Sequence, residues 1–314
     1  MARILITPRS LTAAPPAELG RLRQAGHELI FSTAGQTPDE AELLRLVPQV
    51  EGWLAGVEPI SPAVIAAADR LHVISRNGSG VDNLPLADLE RRGIRVARAM
   101  AANATGVAEL AVGLCVAACR NLPEVCHGVR GGGWPRPKGR EIEGAVVGVV
   151  GAGAIGRKVA GILAEFGAKV LALDPFRPDL GRLAGRVRYV ERAELFDGAD
   201  IVTLHCPMSA EGAPLIDAPT LASMKRGAII VNTARAGLID EAALVAALDE
   251  GRIAAYATDV FEPEPPAAGG LAAHPKVIAT SHIGGLTDES VRRATDLAVD
   301  SLLQHLGEAC HVAG

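Results

Sequence analysis

Three ionisable side chains in the second half of the chain each come shortly after an apolar segment that is typical of a buried strand. They are Arg235, Glu264 and His282. Because ligands bind at the carboxyl ends of parallel strands, we expect the three side chains to meet at one edge of a sheet. Together they form a set with a fixed cation, a carboxylate and a proton donor whose ordinary pKa is near neutrality.

Such a set matches the needs of hydride transfer to a 2-oxo acid. An arginine can hold the carboxylate through two bonds and polarise the carbonyl, and a histidine can protonate the alkoxide. A carboxylate behind the histidine fixes its tautomer and stabilises the imidazolium. Taken singly, Arg235 could be a solvated surface residue and Glu264 an exposed loop residue. His282 could cap the end of a strand and hydrogen-bond to the backbone. Their joint placement beside a nucleotide-binding pattern favours the catalytic interpretation.

The nucleotide-binding pattern is a strand, a glycine-rich turn, a helix and a second strand with an acidic tip. Residues 145–150 predict a buried strand, and Gly151, Gly153 and Gly156 follow it before an apolar-periodic helix. The three glycines would permit a tight turn, close approach of a pyrophosphate and close packing of the helix. The second strand ends at Asp174, whose carboxylate can bond both ribose hydroxyls and would repel a 2′-phosphate. The pattern therefore predicts binding of NAD.

The elements around this unit predict an α/β fold with two doubly wound parallel sheets. Five short strands alternate with helices before residue 98, with predicted helices over 15–25 and after a Thr37 cap. An apolar helix over 105–119 should be buried between domains, and a last helix over 288–306 should return to the first domain. We therefore expect a flavodoxin-like substrate domain over 1–98 and 287–314, and a Rossmann-type NAD-binding domain over 99–286.

Composition excludes several other classes of partner. Aromatic residues make up 3% of the 314 residues and the formal net charge is −5, so no nucleic-acid or anionic membrane surface is indicated. No apolar run is long enough to span a bilayer and no signal-peptide pattern precedes the first strand, so we expect a cytoplasmic protein. The five cysteines, including Cys115, Cys119 and Cys310, lack zinc-site spacing and are expected to be reduced thiols without a metal.

Four segments in order resemble the signatures of the D-isomer-specific 2-hydroxyacid dehydrogenases. Residues 230–244 resemble the arginine signature, 259–265 the glutamate signature and 280–285 the histidine signature, while 77–83 resemble the loop that binds the substrate carboxylate. The resemblance extends over essentially the whole chain and is nearest to the branch of phosphoglycerate dehydrogenases and glyoxylate/hydroxypyruvate reductases.

The resemblance implies a role for each matching position. Arg235, Glu264 and His282 would be the catalytic set, and the protein would be a homodimer that uses NAD. The residues expected to bind the substrate, besides Arg235, are Asn77, Gly78, Ser79 and Gly80. The residues expected to line the cofactor are Ser79, Gly151, Gly153, Ala154, Ile155, Gly156, Asp174, Cys206, Pro207, Thr233, Ala234, Asp259, His282, Gly284 and Gly285.

Some positions depart from the family pattern. Ala236 replaces a usual glycine and Ser281 a usual proline. Residues 55–59 lack a basic residue that phosphoglycerate-oxidising relatives often carry, which disfavours 3-phosphoglycerate as the substrate. A glycine- and proline-rich stretch around Trp134 is either an exposed loop or an arm that crosses the dimer interface. A non-catalytic NAD-sensing protein, like the family's corepressor relatives, is the alternative function, and an NADH absorbance assay with 2-oxo acids would separate the two.

Overall fold

The computed structural model describes residues 1–209 and 211–312, and among residues 308–312, which include Cys310, side chains lie outside the described part. Contacts within the chain divide it into two compact units. The first unit comprises Met1–Asn103 and the segment that begins at Leu286, and the second comprises Ala104–Gly285. The sequence-based domain limits at 98/99 and 286/287 stay predictions.

Both units are built from parallel strands that alternate with helices, as the α/β prediction requires. The strands are β1 (Arg3–Ile6), β2 (Glu28–Phe31), β3 (Gly52–Ala55), β4 (Val73–Arg76), β5 (Arg95–Arg98), β6 (Val146–Val150), β7 (Lys169–Leu173), β8 (Val187–Tyr189), β9 (Ile201–Leu204), β10 (Ala228–Asn232), β11 (Ile253–Thr258) and β12 (Val277–Ala279). The α-helices are α1 (Arg9–Ala13), α2 (Gly20–Gln24), α3 (Glu40–Leu46), α4 (Pro62–Ala67), α5 (Leu86–Arg91), α6 (Ala104–Cys119), α7 (Leu122–Arg130), α8 (Ala154–Glu165), α9 (Arg192–Gly198), α10 (Ala218–Ser223), α11 (Glu241–Asp249) and α12 (Asp288–Val312).

The first unit has a five-stranded parallel sheet in the order β2-β1-β3-β4-β5. Side chains of successive residues point to opposite faces, so Ile4 and Ile6 face one core cluster while Leu5 faces the other. The last helix, α12, covers one face with Leu302 and Leu306. Its return to the first unit makes that unit discontinuous in sequence.

The second unit has a seven-stranded parallel sheet in the order β12-β11-β10-β9-β6-β7-β8. Helices α6 and α8 pack on one face, where Val147 and Val149 contribute to the core. Helices α9, α10 and α11 supply the opposite cluster, which contains Val202 and Ile230. The doubly wound prediction for both sheets is therefore confirmed.

Several predicted helix limits are wrong, and at α3 the reason is that a nearby residue supplies a better cap. Asp39, not Thr37, caps α3, since its carboxylate accepts a hydrogen bond from the N–H of Glu42 at 2.8 Å. The predicted helix over 15–25 is a short 3₁₀ turn (Ala17–Leu19) followed by α2. The last helix continues past 306 to Val312. Helix α7, which precedes the irregular stretch around Trp134, was not anticipated.

Within the described residues, no single helix has the length and apolar character needed to cross a membrane. Helices α6 and α7 meet those criteria only when taken together, and they are bent by 68° relative to each other.

Candidate active site

The strands of the second unit end in register along one edge of the sheet. Val150 at the end of β6 pairs with both Leu173 and Leu204, and the alignment continues through Asn232 and Thr258 to the end of β12. Every loop that carries a predicted cofactor-binding or catalytic residue of this unit leaves the sheet at or near this edge. The edge is the position where open parallel sheets bind their ligands.

His282 and Glu264 form a hydrogen-bonded pair beside this edge. His282 Nδ1 lies 2.8 Å from Glu264 Oε2, and the second carboxylate oxygen of Glu264 accepts the N–H of Phe261 at 3.1 Å. The side chains are 52% and 39% exposed, so the pair is accessible from solvent. Because Nδ1 is engaged by the carboxylate, Nε2 is the ring atom available for proton transfer.

Asp259 holds the loop that presents His282. This buried carboxylate accepts hydrogen bonds from the N–H groups of Ile283 and Gly284, both at 2.8 Å, and from the hydroxyl of Thr280 at 2.6 Å. His282 has a φ of +55°, a left-handed conformation that costs about 1–2 kcal/mol for a residue other than glycine. The bonds to Asp259 on either side stabilise that conformation. The sequence predicts a cofactor contact for Asp259 but not this bracing of the histidine loop.

Asn232 organises the arginine loop in a similar way. Its fully buried amide donates to the carbonyl of Arg235 at 2.8 Å and accepts the N–H of Ala234 at 3.0 Å. Arg235 is half-buried, and its Nη1 donates to the Ala234 carbonyl at 2.7 Å. Sequence reasoning missed Asn232, although an amide inside the otherwise apolar strand β10 was a signal that could have found it.

The glycine-rich turn has the geometry that a dinucleotide requires. Gly151 has a φ of +90°, and a Cβ there would lie 2.6 Å from the carbonyl oxygen of His205. A Cβ on Gly156 would overlap the carbonyl oxygen of Gly151. A Cβ on Gly153, in contrast, would meet no described atom within 4 Å. The turn is therefore tightly packed on the protein side and open at Gly153, where helix α8 begins without a side-chain cap, as an incoming pyrophosphate needs.

Three further residues at this edge fit a nucleotide. Asp174 follows β7, and its carboxylate accepts the N–H groups of Ala152 at 2.8 Å and Phe176 at 2.9 Å, so it lies directly against the glycine turn. The hydroxyl of Thr233 is buried and has no hydrogen-bond partner within the described chain. Cys206 is half-buried after β9, and burial raises the pKa of its thiol, which keeps it a neutral lining group.

Two residues that the sequence did not assign lie near the glycine turn, the buried Thr203 on β9 and His205, which follows that strand. His205 Nε2 is 2.9 Å from the hydroxyl of Thr203, and its Nδ1 is buried with no partner in the described part of the chain. Burial lowers the pKa of His205 to about 3, so the ring is neutral at physiological pH and is unsuited to the acid role assigned to His282.

The predicted substrate loop belongs to the first unit and leaves the sheet after β4. It contains Asn77, Gly78, Ser79 and Gly80. Its last three carbonyl groups each accept a hydrogen bond from the unit, at 3.0, 2.7 and 2.9 Å in chain order. Among the described residues, no acceptor takes the N–H groups of residues 78–81. The loop thus has tethered carbonyls and unpaired N–H donors, which suits an anion.

The structure brings most of the predicted residues to the edge of the seven-stranded sheet, and it places 77–80 in the other unit. Ala154 and Ile155 form the first turn of α8, Pro207 follows Cys206, and Gly284 is buried against Asp259 with Gly285 after it. Each unit is an α/β fold with a parallel sheet, and the second has a dinucleotide turn and a histidine–carboxylate pair at the same sheet edge. These features define a nucleotide-dependent oxidoreductase.

Comparison with known proteins identifies the family. Residues 112–284 match the D-isomer specific 2-hydroxyacid dehydrogenase, NAD binding domain. The chain is 35% identical over 275 residues to a hydroxypyruvate reductase of Thermotoga maritima, a match that covers 86% of this chain and 89% of the relative. The chain therefore belongs to the D-isomer-specific 2-hydroxyacid dehydrogenases. It is an NAD-dependent oxidoreductase that acts on the CH–OH group of donors.

Two other relatives support this assignment. A D-3-phosphoglycerate dehydrogenase of Methanocaldococcus jannaschii is 40% identical over 242 residues, which are 76% of this chain and 46% of that protein. The chain spans about half the length of such phosphoglycerate dehydrogenase relatives. The crystal structure of the TT0316 protein from Thermus thermophilus superposes with a TM-score of 0.87 at 34% identity, covering 98% of this chain and 97% of that chain.

Proposed function

We propose that the protein interconverts a small 2-oxo acid and the D-2-hydroxy acid, with His282 as the acid/base, Glu264 as its partner and Arg235 as the carboxylate ligand. The observation that carries this assignment is the 2.8 Å bond between His282 Nδ1 and Glu264. It directs Nε2 toward proton transfer and supplies a counter-charge for the imidazolium.

In the reductive direction, bound NADH supplies the hydride. His282 in its imidazolium form donates the Nε2 proton to the oxygen that was the carbonyl, and Glu264 stabilises the charged ring before transfer. Arg235 orients the substrate by pairing with its carboxylate. The N–H groups of residues 78–81, which the family resemblance makes part of the substrate loop, suit the same kind of anion. In the oxidative direction, neutral His282 accepts the hydroxyl proton at Nε2.

The substrate we favour lacks a phosphate. The relative from Thermotoga maritima is a hydroxypyruvate reductase, and most of the length of both proteins is matched. Residues 55–59 carry no cation, and Glu58 in this loop is buried, so the side chains that the loop exposes are the uncharged Val57 and Pro59. This loop therefore offers no ion pair to a phosphate at the distal end of a substrate.

A panel of acids tests the proposal. NADH oxidation would be followed by absorbance with glyoxylate, hydroxypyruvate and pyruvate, and NAD reduction with 3-phosphoglycerate, in the wild type and in His282→Ala and Arg235→Lys. We expect turnover with at least one unphosphorylated acid, a loss of about 10²–10⁴-fold in His282→Ala, and a raised KM in Arg235→Lys. Near-normal turnover of His282→Ala with unchanged NADH affinity would refute the assignment of the acid.

We also propose that the protein is a homodimer that functions in the cytoplasm. Helix α7 has no buried residue, and apolar side chains on and after it, Leu122, Val129 and Trp134, are exposed. A helix with exposed apolar side chains, followed by an exposed tryptophan, suits an interface with a second copy. Light scattering after size-exclusion chromatography would measure the mass, and a monomer at micromolar concentration would contradict the dimer.

A further inference from the structure

A group of buried polar side chains lies where strands β1, β3 and β4 of the first unit end. Thr7, Glu58 and Arg76 are each at most 5% exposed. Thr7 follows β1, Glu58 lies in the loop after β3, and Arg76 is the last residue of β4. None of them belongs to the catalytic set proposed above, and the resemblance to the family gave none of them a role.

Glu58 fixes the loop after β3 from inside. Its carboxylate accepts the N–H of Gly56 at 3.0 Å and the hydroxyl of Thr7, which in turn accepts the indole N–H of Trp53 at 2.9 Å. A Cβ on Gly56 would lie 2.7 Å from Glu58 Oε2, so the carboxylate fills the space under the loop. Asn83 closes the loop by donating its amide to the carbonyl of Glu58 at 2.6 Å.

Arg76 joins that loop to the predicted substrate loop. Its Nη1 donates to the carbonyl of Ala55 at 3.1 Å, and its Nε donates to the carbonyl of Gly80 at 2.9 Å. Burial lowers the pKa of Arg76 and raises the pKa of Glu58, because each charged form has lost contact with water. Each charge partly offsets that effect on the other, so each side chain favours the charged form of the other.

The tethered carbonyls determine where the N–H groups of the loop point. In a trans peptide the C=O and the following N–H point in opposite directions. The carbonyls of Gly78, Ser79 and Gly80 are bound by the N–H of Ala99, by Arg98 and by Arg76, respectively. The N–H groups of residues 79–81 must therefore point away from these donors, and no described acceptor takes them.

We propose that Arg76 and Glu58 are positioning residues that hold the N–H groups of residues 79–81 ready for the substrate carboxylate. The inference rests on the proposed function, because it takes this loop to be the carboxylate-binding loop. Neither side chain needs to touch the substrate. Because they order the loop before the substrate arrives, binding does not have to supply the free energy of ordering it. That cost would otherwise weaken binding.

The test compares substitutions that break the brace with one that breaks a similar contact elsewhere. Arg76→Lys keeps the charge but loses the planar fork that reaches the two carbonyls from separate nitrogens. Glu58→Ala removes both acceptor bonds, whereas Glu58→Gln retains one acceptor oxygen. Arg92→Lys is the matched control, since Arg92 also donates to two carbonyls of the first unit, those of Ile65 and Ala68. Hydrogen–deuterium exchange over residues 77–83 without ligand, and KM for glyoxylate and hydroxypyruvate, would be measured for each.

We expect Arg76→Lys and Glu58→Ala to speed exchange over 77–83 and to raise KM by roughly 10- to 100-fold, the effect of losing one hydrogen bond to a charged group. The increase should be equal for the two acids, which share the carboxylate, while NADH affinity is unchanged. Glu58→Gln should recover most of the loss, and Arg92→Lys should change neither quantity.

Unchanged exchange in both disruptive variants would overturn the proposal, even if one of them folds poorly. So would faster exchange with an unchanged KM, because the brace would then be structural only. A wild-type protein that reduces neither acid would instead overturn the proposed function. Exchange over 77–83 would still decide whether Arg76 and Glu58 order the loop.

Discussion

Replacement of Asp259 by asparagine weakens the hydrogen bonds that hold the His282 loop but leaves the His282 side chain in place. It therefore tests how much the positioning of His282 contributes to turnover. The carboxylate accepts three hydrogen bonds, two through Oδ1 from Thr280 and Ile283 and one through Oδ2 from Gly284. An amide of the same shape has one acceptor oxygen and one donor nitrogen. If the oxygen keeps the Oδ1 partners, the Gly284 N–H loses its acceptor and faces another donor.

The magnitude follows from those contacts. Leaving a buried N–H without its charged acceptor costs about 1–3 kcal/mol, and the left-handed conformation of His282 stores about 1–2 kcal/mol that the bonds to Asp259 offset. Since about 1.4 kcal/mol corresponds to a factor of ten, the loop should spend roughly 10- to 100-fold less time in the geometry that presents His282 to Glu264. We expect kcat to fall by the same factor.

The assay is steady-state reduction of glyoxylate or hydroxypyruvate, with thermal unfolding measured in parallel. Asp200→Asn is the matched control, because Asp200 also accepts a backbone N–H, that of Val146 at 2.8 Å, but does so at the opposite edge of the same sheet. The control should lose stability without losing kcat. Wild-type kcat in Asp259→Asn, or an equal loss in Asp200→Asn, would refute the positioning argument.

Three other outcomes follow from the structure. Gly156→Ala should unfold at a markedly lower temperature because its methyl overlaps backbone, whereas Gly153→Ala should fold normally and lose NADH affinity; equal melting temperatures would contradict this. Burial raises the pKa of Cys115 to about 12, so the thiol stays protonated below that pH. At about pH 8 a thiol reagent should therefore modify the exposed Cys126 well before Cys115, which peptide mapping would show. Trp134→Ala should change the ranking of substrates by chain length while NADH affinity stays constant, if the arm reaches a neighbouring cleft; an unaltered ranking in an intact dimer would make it a scaffold.

The fold could be predicted closely because its signals are local. Apolar runs of four to six residues followed by glycine, proline or polar residues indicate buried parallel strands. Residues 145–150 were predicted as such a strand, and β6 covers Val146–Val150. Helix limits were less accurate where two capping residues compete, as at Thr37 and Asp39, because the winner depends on which backbone N–H each side chain reaches.

The supporting residues of the site could not be predicted as readily, because their roles depend on contacts between distant segments. Asp259 reaches Ile283 across 24 positions, and Glu58 reaches Thr7 across 51. In the sequence, Glu58 is one acidic residue in a loop and is indistinguishable from a solvated surface charge. Only the parallel pairing of β1 with β3 brings it under the loop beside Thr7.

These residues point to a division of labour that holds in both units. The side chains proposed to do chemistry, His282 and Glu264, are exposed enough to meet a ligand, whereas Asn232 and Asp259, which shape their loops, are buried. In the first unit, buried Arg76 stands in the same relation to the loop at 77–80. A buried polar side chain is costly unless its hydrogen bonds are made, so each one ties its loop to a single conformation. Substrate preference could therefore change through exposed positions such as Val57 while the buried set, and the geometry it fixes, stays the same.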